Sequence, residues 1–498
     1  MSFLQPVRRA RNRALWIQEA IAREPDLTKA EPLSGAHRVD VCIVGGGYTG
    51  LWTAINLKQL DPTVEVMVVE ADFCGAGASG RNGGIVSGWW SKLPSLVSRY
   101  GEEDGVRLAQ AAGDAVRAIG EFCRQHGIEA DFRNGGVLWT ATAPAHLGAW
   151  ARAIEATRAR GFNIYEELSP EQVAIRTGSA VHLAGVFEPS GSRVQPAFLA
   201  RGMRRVAIER GVQLWEQTPV VEILRGTPPG LRTPHAVVVA EKVILATNAW
   251  MASLPEIRRA VLPMSSDMVA TAPIPERLSE IGWTGDECIA DTHLLVHYCR
   301  TTADGRIAFG KGGCSHAYLG QISQRLEDPG RRVERTVRSF RRIYPNLRDV
   351  PLTHSWTGPI DRSETNSPFF GHLDGNPDII YGVGYSGTGV APTYVGGKIL
   401  ASTALERHDE WQDSPINRGP RSLYPYDPVR YFGGNLVRAA VLQEEADLNE
   451  NCPSGPLVKS LLRFVPSGLR KGSGAPFNSQ LASNMAGGIR GPEKEPEP

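Results

Sequence analysis

The stretch Val39–Glu70, VDVCIVGGGYTGLWTAINLKQLDPTVEVMVVE, decides the fold of this chain. It begins with an apolar run, Val39–Val44, of the kind that forms a buried parallel strand. This run leads directly into Gly45–Gly50, which fits the pattern GxGxxG. Leu51–Leu57 then predicts a helix, and Val64–Val69 predicts a second buried strand that ends at Glu70. This order is typical of a Rossmann-like dinucleotide-binding unit.

Each part of this unit has a physical role. Gly45 permits a tight turn, Gly47 lets the backbone approach a pyrophosphate, and Gly50 lets the helix pack closely on the sheet. Tyr48 and Thr49 lie at the helix start, where unpaired N–H groups favour an anion. Glu70 lies where such units place a carboxylate that accepts hydrogen bonds from an adenosine ribose. We therefore predict an adenine dinucleotide; the alternative is an ordinary strand-to-helix turn.

The glycine pattern alone does not identify the site, because it occurs three times in the chain. Gly75–Gly80 and Gly382–Gly387 also fit GxGxxG. Neither is followed by a helix, a second strand and a terminal acid at the required spacing. The surrounding elements therefore select Gly45–Gly50.

Composition excludes several classes of protein. A chain of 498 residues, with 42% hydrophobic and 21% charged residues, predicts two to four globular domains. Its 54 Lys and Arg nearly balance 53 Asp and Glu, which argues against a nucleic-acid or membrane-surface partner. No apolar run is long enough for a membrane span, and the start of the chain resembles no secretory signal. The seven cysteines are odd in number and never spaced as CxxC, which argues against disulfides and zinc. We expect a cytoplasmic protein.

The segment after Glu70 consists mainly of small residues. In Cys74–Gly84, CGAGASGRNGG, so few side chains are present that the backbone is expected to lie against a flat or bulky group. A flexible loop is the alternative. Together, DVCIVGGGYTGLWTAINL and VVEADFCGAGASGRNGG resemble the FAD-dependent amine and amino-acid oxidase (DAO) family, whose members include glycine oxidase, sarcosine oxidase and gamma-glutamylputrescine oxidase. The GASGRNGG segment is most similar to the last of these.

The resemblance implies both the fold and the cofactor. The fold would be α/β: a Rossmann-like, GR2-type FAD-binding domain with an inserted α+β substrate domain on a mostly antiparallel sheet. Beyond the first unit, the resemblance implies FAD contacts from Ala78, Ser79, Arg81, Asn82, Gly83, Gly84, Val220, Thr247, Asn248, Gly384, Gly387, Thr388, Gly389 and Val390. Thr388 is a departure, since members often carry His there. The family's cysteinyl link lies near THSWTG, where this chain has His354, and its histidyl link lies in the glycine loop, which has no His here. We therefore expect dissociable FAD.

The predicted domains are discontinuous. An N-terminal arm comprises 1–35, with Ala14–Ile17 anchoring a short helix on the body. The FAD-binding domain comprises 36–98, 196–255 and 353–405, and the substrate-binding domain comprises 99–195 and 256–352. An extension at 406–498 carries a helix near Val437–Leu448 and closes in a disordered tail.

The chemistry implied by the resemblance requires little acid or base help from the protein. A neutral amine gives a hydride to the flavin, and water hydrolyses the resulting imine to an aldehyde or keto acid. Candidates for the pocket are Tyr298, Arg300, Lys311, Trp356 and Arg362. An Arg or Lys would hold an acidic group of the substrate, Lys311 would assist flavin or oxygen reduction, and Trp356 would form an apolar wall. The alternative for each is an ordinary packing or surface role.

We expect no metal. His293 and His297 have i, i+4 spacing, but they lie in a predicted strand and no third ligand is evident.

Two other functions remain open from the sequence. An FAD-dependent dehydrogenase of a 2-hydroxy acid or a glycerol-phosphate-like substrate would share the nucleotide unit, because a fold does not determine its chemistry. A non-catalytic FAD-binding partner subunit is the second. The sequence specifies neither the amine nor the oligomeric state. It also leaves open whether dioxygen, giving hydrogen peroxide, or another acceptor takes the electrons.

Overall fold

A computed structural model of the chain describes residues 14–27 and 29–467. Its helices are α1 (Leu15–Arg23), α2 (Tyr48–Leu60), α3 (Leu93–Tyr100), α4 (Glu102–Gln125), α5 (Ala151–Arg158), α6 (Pro170–Thr177), α7 (Pro196–Glu209), α8 (Pro275–Glu280), α9 (Gln324–Glu327), α10 (Val333–Ile343), α11 (Pro392–Ala404), α12 (Val429–Asn449) and α13 (Pro456–Leu462). Its strands are β1 (Gly35–Val44), β2 (Val66–Val69), β3 (Ile85–Val86), β4 (Val137–Ala141), β5 (Glu166–Leu168), β6 (Ala184–Glu188), β7 (Ser192–Arg193), β8 (Gln213–Trp215), β9 (Glu222–Leu224), β10 (Gly230–Arg232), β11 (Ala236–Leu245), β12 (Val261–Thr271), β13 (Cys288–Asp291), β14 (His297–Thr301), β15 (Ile307–His316), β16 (Leu352–Ser363), β17 (Phe369–Leu373) and β18 (Asn376–Val383).

The first large sheet contains the predicted nucleotide unit. Its strand order is β17-β18-β11-β1-β2-β8, with β10 and β9 added beside the first half of β11. The pairs β18-β11, β11-β1, β1-β2 and β2-β8 are parallel. Because parallel strands bring their carboxyl ends to one edge, Val44, Val69 and Leu245 end side by side.

The apolar runs in this sheet are continuous because both of its faces are covered. In β1, Val41 and Ile43 belong to a core with α2 and α11, whereas Cys42 and Val44 belong to a second core on the opposite face. Successive side chains of a strand point to opposite faces, so every position from Val41 to Val44 is buried, whereas Asp40 of the predicted run is exposed. This arrangement confirms the predicted parallel sheet.

The second large sheet is mostly antiparallel, as predicted for a substrate domain. Its order is β16-β12-β15-β14-β13-β4-β6-β5, and only the neighbours β13 and β4 are parallel. Helix α10 packs on it through Phe340 and Ile343, and arginines occupy much of the rest of that helix. A short two-stranded sheet, β3 with β7, lies apart from both large sheets.

The predicted domain boundary at 353 requires correction. Strand β16 pairs with β12 from Leu352 to Ser363, so it lies in the substrate sheet and not in the nucleotide sheet. The sequence of β16 leads directly toward β17 and β18 of the nucleotide sheet, which is why the position of this strand was predicted wrongly.

The segments at the two ends pack on the body. Helix α1 buries Trp16 and Ile17, which confirms the predicted anchor of the arm. In the extension, α12 begins before the predicted Val437 and extends to Asn449. The predicted disordered tail and the first 13 residues of the arm lie outside the described residues. Within the described ranges, no helix has both the length and the apolar character to cross a membrane.

Candidate active site

A cavity of about 1460 Å³ lies between the two large sheets. One side is formed by the carboxyl ends of the nucleotide strands, including Val44 and Val69. The other side is formed by the substrate sheet, including Ala290 and Tyr298. Ligands of open α/β sheets bind outside the carboxyl ends of the strands, so this is the expected position of a dinucleotide site.

The first glycine turn forms one wall of this cavity. Gly45, Gly47, Tyr48 and Thr49 line it, and the N-terminus of α2 opens onto it. Gly45 has φ +112°, and a Cβ on it would lie 2.7 Å from the carbonyl oxygen of Ala246. Gly50 lies behind the wall, where a Cβ would meet the Gly45 carbonyl oxygen at 2.0 Å. Both positions therefore require glycine.

Glu70 lies at the cavity wall beside this turn. Its carboxylate accepts hydrogen bonds from the backbone N–H of Gly46 (2.7 Å) and of Asp72 (3.0 Å). Burial raises the pKa of Glu70 to about 7, although both backbone donors act to lower it. A ribose hydroxyl at this position would add a further donor.

The small-residue loop is ordered, and its side chains support its own backbone. Arg81 Nε donates to the Ala76 carbonyl oxygen (2.8 Å), and Asn82 Nδ2 donates to that of Ser79 (2.8 Å). Ala78, Ser79, Arg81, Asn82 and Gly83 line the cavity, whereas Gly84 lies outside its wall. The buried Nη1 of Arg81 has no hydrogen-bond partner in the described chain, so it suits an anionic ligand.

Arg300 and Trp356 hold this loop from outside the cavity. Arg300 Nε donates to the Gly83 carbonyl oxygen (2.9 Å), and Trp356 Nε1 donates to that of Arg81 (2.9 Å). Both side chains pack against Trp16 of α1. Neither lines the cavity, so their predicted contact with substrate is corrected to a role in positioning the loop.

Lys311 also points away from the cavity. Its Nζ donates to Glu445 Oε2 (2.9 Å) on α12, and it contacts His297 Nε2 (3.0 Å). Its neighbour Gly312 lines the cavity, and successive residues of a strand face opposite sides. The prediction that Lys311 enters the pocket is therefore corrected.

Tyr298 does line the cavity. Its hydroxyl forms a 2.8 Å hydrogen bond with Ser266 Oγ, and burial raises its pKa. A Cβ on Gly83 would lie 2.8 Å from the Tyr298 ring, so the ring lies directly beside the loop.

Two further predicted segments reach the cavity from the nucleotide sheet. Val220, Thr247 and Asn248 line it, and Thr247 Oγ1 and Asn248 Oδ1 are buried without a hydrogen-bond partner in the described chain. From the turn after β18, Gly387, Thr388, Gly389 and Val390 line it, whereas Gly384 does not. Asp361 braces this turn by accepting from the Gly384 N–H (2.6 Å), and burial raises the pKa of Asp361 to about 6.

Three cationic side chains lie beside this turn: the predicted Arg362, and Lys92 and Arg99, which were not predicted from the sequence. Lys92 Nζ donates to Thr388 Oγ1 (2.9 Å) and to the Asn366 carbonyl oxygen (2.9 Å). Burial, with added repulsion from Arg362 and Arg99, lowers the pKa of Lys92 to about 7. All three line the cavity, and within the described chain none forms an ion pair with a carboxylate. The available signal was a lysine two residues after the adjacent tryptophans Trp89 and Trp90, both of which are buried.

The histidine pair has a third member that the sequence analysis overlooked. Asp291, two residues before His293, brings its carboxylate to both His293 and His297, and the ligand atoms of the three lie within 4.8 Å of one another. Asp291 and His293 line the cavity, and His297 does not. The expectation that no third ligand accompanies the pair is therefore corrected. The predicted strand is also wrong for His293, which lies in the loop between β13 and β14.

Comparisons with known proteins agree with this geometry. The family model described as FAD dependent oxidoreductase (DAO) matches residues 40–403. Gamma-glutamylputrescine oxidoreductase of Escherichia coli is 30% identical over 76% of this chain and 86% of that protein. A probable oxidoreductase, OrdL, of Haemophilus influenzae is 27% identical over 75% of this chain and 84% of that protein. The structure of glycine oxidase from Geobacillus kaustophilus superposes with a TM-score of 0.64 at 20% identity, covering 78% of this chain and all (100%) of that one.

Proposed function

The chain belongs to the DAO family of FAD dependent oxidoreductases, and from that premise we propose that it oxidises the C–N bond of an amine that also carries a carboxylate. It is an enzyme of the amine and amino-acid oxidase type. The acidic group of the substrate is the finer part of the proposal. The main support for an acidic group is the presence of three cations on the cavity wall: Lys92, Arg99 and Arg362.

The residues of the cavity fit FAD. Arg81 Nη1, Thr247 Oγ1 and Asn248 Oδ1 are buried polar atoms that lack a hydrogen-bond partner in the described chain, and they lie on the wall where the dinucleotide would run. Such atoms are costly unless a ligand pairs with them. The N-terminus of α2 would meet the diphosphate and Glu70 the ribose. When bound, FAD supplies the acceptor of the substrate hydride.

The positive charge on the cavity wall supports a substrate that carries an acidic group as well as an amine. Lys92 and Arg362 lie close together, because Lys92 Nζ donates to the Asn366 carbonyl oxygen (2.9 Å) and Arg362 Nη1 to Asn366 Oδ1 (3.3 Å). Arg362 Nε is buried without a hydrogen-bond partner in the described chain, and Nη1 makes only a 3.3 Å bond to Asn366 Oδ1. A carboxylate would satisfy the Arg362 donors and raise the pKa of Lys92 again. Arg362 therefore keeps its predicted place as a substrate-binding residue, with Lys92 beside it.

The curated relative named gamma-glutamylputrescine oxidoreductase suggests a substrate of matching chemistry. Gamma-glutamylputrescine carries a free carboxylate beside an α-amino group at its glutamyl end and a primary alkylamine at the other end. We propose a substrate of this class: one end would be held by the Lys92 and Arg362 cations and the other presented to the flavin beside Tyr298. Hydrolysis of the imine product would release an aldehyde.

The test is anaerobic bleaching of the visible flavin band of the purified, FAD-loaded protein. Gamma-glutamylputrescine is compared with putrescine, which lacks the acid, with N-methylglycine, and with 2-hydroxyglutarate as a hydroxy acid. We expect the acidic amine to reduce the flavin at concentrations at least about tenfold below putrescine, because a charge-assisted pair contributes about 1.5–3 kcal/mol. Arg362→Met is expected to remove that preference. Admission of air then shows whether dioxygen reoxidises the flavin.

Two outcomes would contradict the proposal. Bleaching by 2-hydroxyglutarate alone would assign the chain to hydroxy-acid oxidation. Equal bleaching by putrescine and its glutamylated form, in both wild type and Arg362→Met, would remove the role of the acidic group.

A further inference from the structure

A buried polar cluster borders the cavity between β13 and β14. Asp291 Oδ2 lies 2.7 Å from His293 Nδ1 and 2.6 Å from His297 Nδ1. Its other oxygen, Oδ1, accepts the backbone N–H groups of the same two histidines, at 3.2 and 2.9 Å. Burial opposes ionisation of this carboxyl, but the two imidazoles and their hydrogen bonds outweigh it and hold the pKa of Asp291 well below its usual range.

The ionised carboxylate fixes the tautomers of the two rings. A carboxylate only accepts hydrogen bonds, so Nδ1 of each imidazole must carry the hydrogen. In the neutral rings, Nε2 then holds a lone pair. The assignment rests on the hydrogen-bond network.

The two lone pairs have different surroundings. His297 Nε2 contacts Lys311 Nζ and Ser339 Oγ, each at 3.0 Å. His293 has a fully buried side chain, and its Nε2 has no hydrogen-bond partner in the described chain. His293 lies in the loop between β13 and β14 and belongs to the cavity lining. The ring of His146, which also lines the cavity, packs edge-on against the His293 ring, with 4.6 Å between the ring centroids. A buried acceptor without a donor is costly, so the donor is expected from the contents of the cavity.

The cluster is unsuited to a metal ion although three ligand types converge. An ion at Asp291 Oδ2 would have to displace the N–H groups of both imidazoles that point at this oxygen. The Lys311 ammonium already lies on His297 Nε2, and a second cation beside it would be repelled. An N–H group that enters from the cavity could donate to His293 Nε2 without displacing an imidazole N–H group from Asp291 and without approaching the Lys311 ammonium.

We propose that His293 is a catalytic residue that receives the ammonium proton of the substrate, with Asp291 as its positioning residue. The inference rests on the proposed amine oxidation and deepens it. An alkylammonium carries no lone pair for imine formation, so it must lose a proton before it gives a hydride. The ammonium N–H bond breaks, its electron pair stays on the amine nitrogen, and the new N–H bond forms at His293 Nε2. The resulting imidazolium is stabilised by ionised Asp291.

The C-terminal extension completes this arrangement. Glu445 of α12 accepts from Lys311 Nζ (2.9 Å) and from the Leu295 N–H (3.0 Å), within the loop that carries His293. Lys311 in turn engages His297 Nε2, which keeps the hydrogen of His297 on the nitrogen facing Asp291. The matched family domain ends at residue 403, so this chain positions its base with a segment outside that domain. Arg342 of α10 and the buried His182 are further titratable groups that interact electrostatically with Asp291. Thr142 Oγ1 also donates to Asp291 Oδ2 (3.1 Å).

The experiment compares wild type with His293→Gln and with a matched control, His182→Gln. His182 is also buried, with an Nε2 that lacks a hydrogen-bond partner in the described chain, but it does not line the cavity. Each FAD-loaded protein is mixed anaerobically with a primary amine from pH 6.5 to 10, and the rate of flavin reduction is recorded. In parallel, the binding of tert-butylamine is titrated by its effect on the flavin spectrum. This amine has no hydrogen on the carbon bonded to nitrogen and cannot be oxidised.

We expect His293→Gln to slow flavin reduction at pH 7 by about 10²-fold or more, the usual contribution of a general base. The deficit should close toward pH 10, where an alkylamine with a pKa of about 10.4 loses its proton in solution. His182→Gln should match wild type throughout. His293→Gln should also weaken tert-butylamine binding at pH 7 by at least about tenfold.

The inference is overturned if His293→Gln reduces as fast as wild type at pH 7, or if its deficit is the same at every pH. Equal binding of tert-butylamine by wild type and His293→Gln overturns it whether or not any amine is oxidised. If no amine reduces the wild-type flavin while binding still depends on His293, the cation-binding site stands and the proposed oxidation fails.

Discussion

The protonation state of Lys92, a partly buried lysine on the cavity wall, should determine how tightly an acidic ligand binds. Its pKa is lowered to about 7 by burial and by the neighbouring Arg362 and Arg99, so it is protonated below that pH and neutral above it. A carboxylate binds an ammonium more tightly than a neutral amine. The affinity for an acidic ligand should therefore fall as pH rises through about 7.

The prediction at this position uses glutarate, a dicarboxylate without an amine, titrated into the FAD-loaded protein from pH 6 to 9. We expect the dissociation constant to rise up to tenfold per pH unit above about 7. Lys92→Met should bind glutarate more weakly and without this pH dependence. Lys459→Met, at an exposed lysine on α13, should behave as wild type. A pH dependence that persists in Lys92→Met would place the titrating group elsewhere.

The backbone segments that line the site are easier to predict from the sequence than the side chains that enter it. Gly45, Gly47 and the Ala78–Gly83 loop were predicted because close approach of a backbone leaves a pattern of small residues. Lys311 and Arg300 were predicted to enter the pocket because they are charged residues in predicted strands. The side chain of a strand residue can, however, point to either face of the sheet. The sequence of a buried sheet does not reveal which face is the cavity. Lys92 was missed because its partner Thr388 comes from a distant segment, whereas Asp291 was overlooked although His293 follows it by only two residues.

At the scale of the element, α2 depends on a glycine that touches no ligand. A Cβ on Gly50 would lie 2.0 Å from the Gly45 carbonyl oxygen, so the helix can pack on the turn only without a side chain there. We expect Gly50→Ala to destabilise the protein by about 1–3 kcal/mol and to lower its FAD content, because the turn must move. Thermal unfolding and the ratio of flavin to protein absorbance measure the two effects.

The matched control is Gly433→Ala in α12. A Cβ on Gly433 meets nothing within 4 Å, and alanine favours a helix over glycine by up to about 1 kcal/mol. This variant should keep its FAD and unfold at the same or a higher temperature. If Gly50→Ala kept full FAD and stability as well, the close packing of α2 on the turn would not matter for binding.

The strands and helices also differ in how well their positions could be predicted from the sequence. The order strand, glycine turn, helix, strand was predicted because the whole pattern lies within one short stretch of sequence, Val39–Glu70. Strand β16 was assigned to the wrong sheet because its membership depends on β12, about ninety residues earlier, and no local pattern records that pairing. Helix α12 was predicted from its amphipathic sequence, whereas its contact with Lys311 depends on the tertiary fold.

At the scale of the whole molecule, the cavity is built from segments far apart in the chain. Gly45, Gly47–Thr49, Thr218–Val220, Thr247–Asn248 and Gly387–Val390 all line it. A bound dinucleotide would therefore contact all of these segments at once. A ligand that binds only the folded state stabilises it by RT ln(1 + [L]/Kd), about 2.7 kcal/mol at a hundredfold excess over Kd.

The mode of FAD attachment is the last prediction. No cysteine of the described chain lines the cavity, and His354 on β16 does not reach it. We therefore expect acid precipitation to leave the yellow flavin in the supernatant. Added FAD should raise the unfolding temperature of the flavin-free protein by more than ADP does, because ADP would occupy only the part of the cavity near Gly45 and Glu70. Colour retained in the precipitate would show a covalent link. Equal shifts by FAD and ADP would mean that the Gly387–Val390 turn and Tyr298 do not contribute to holding the cofactor.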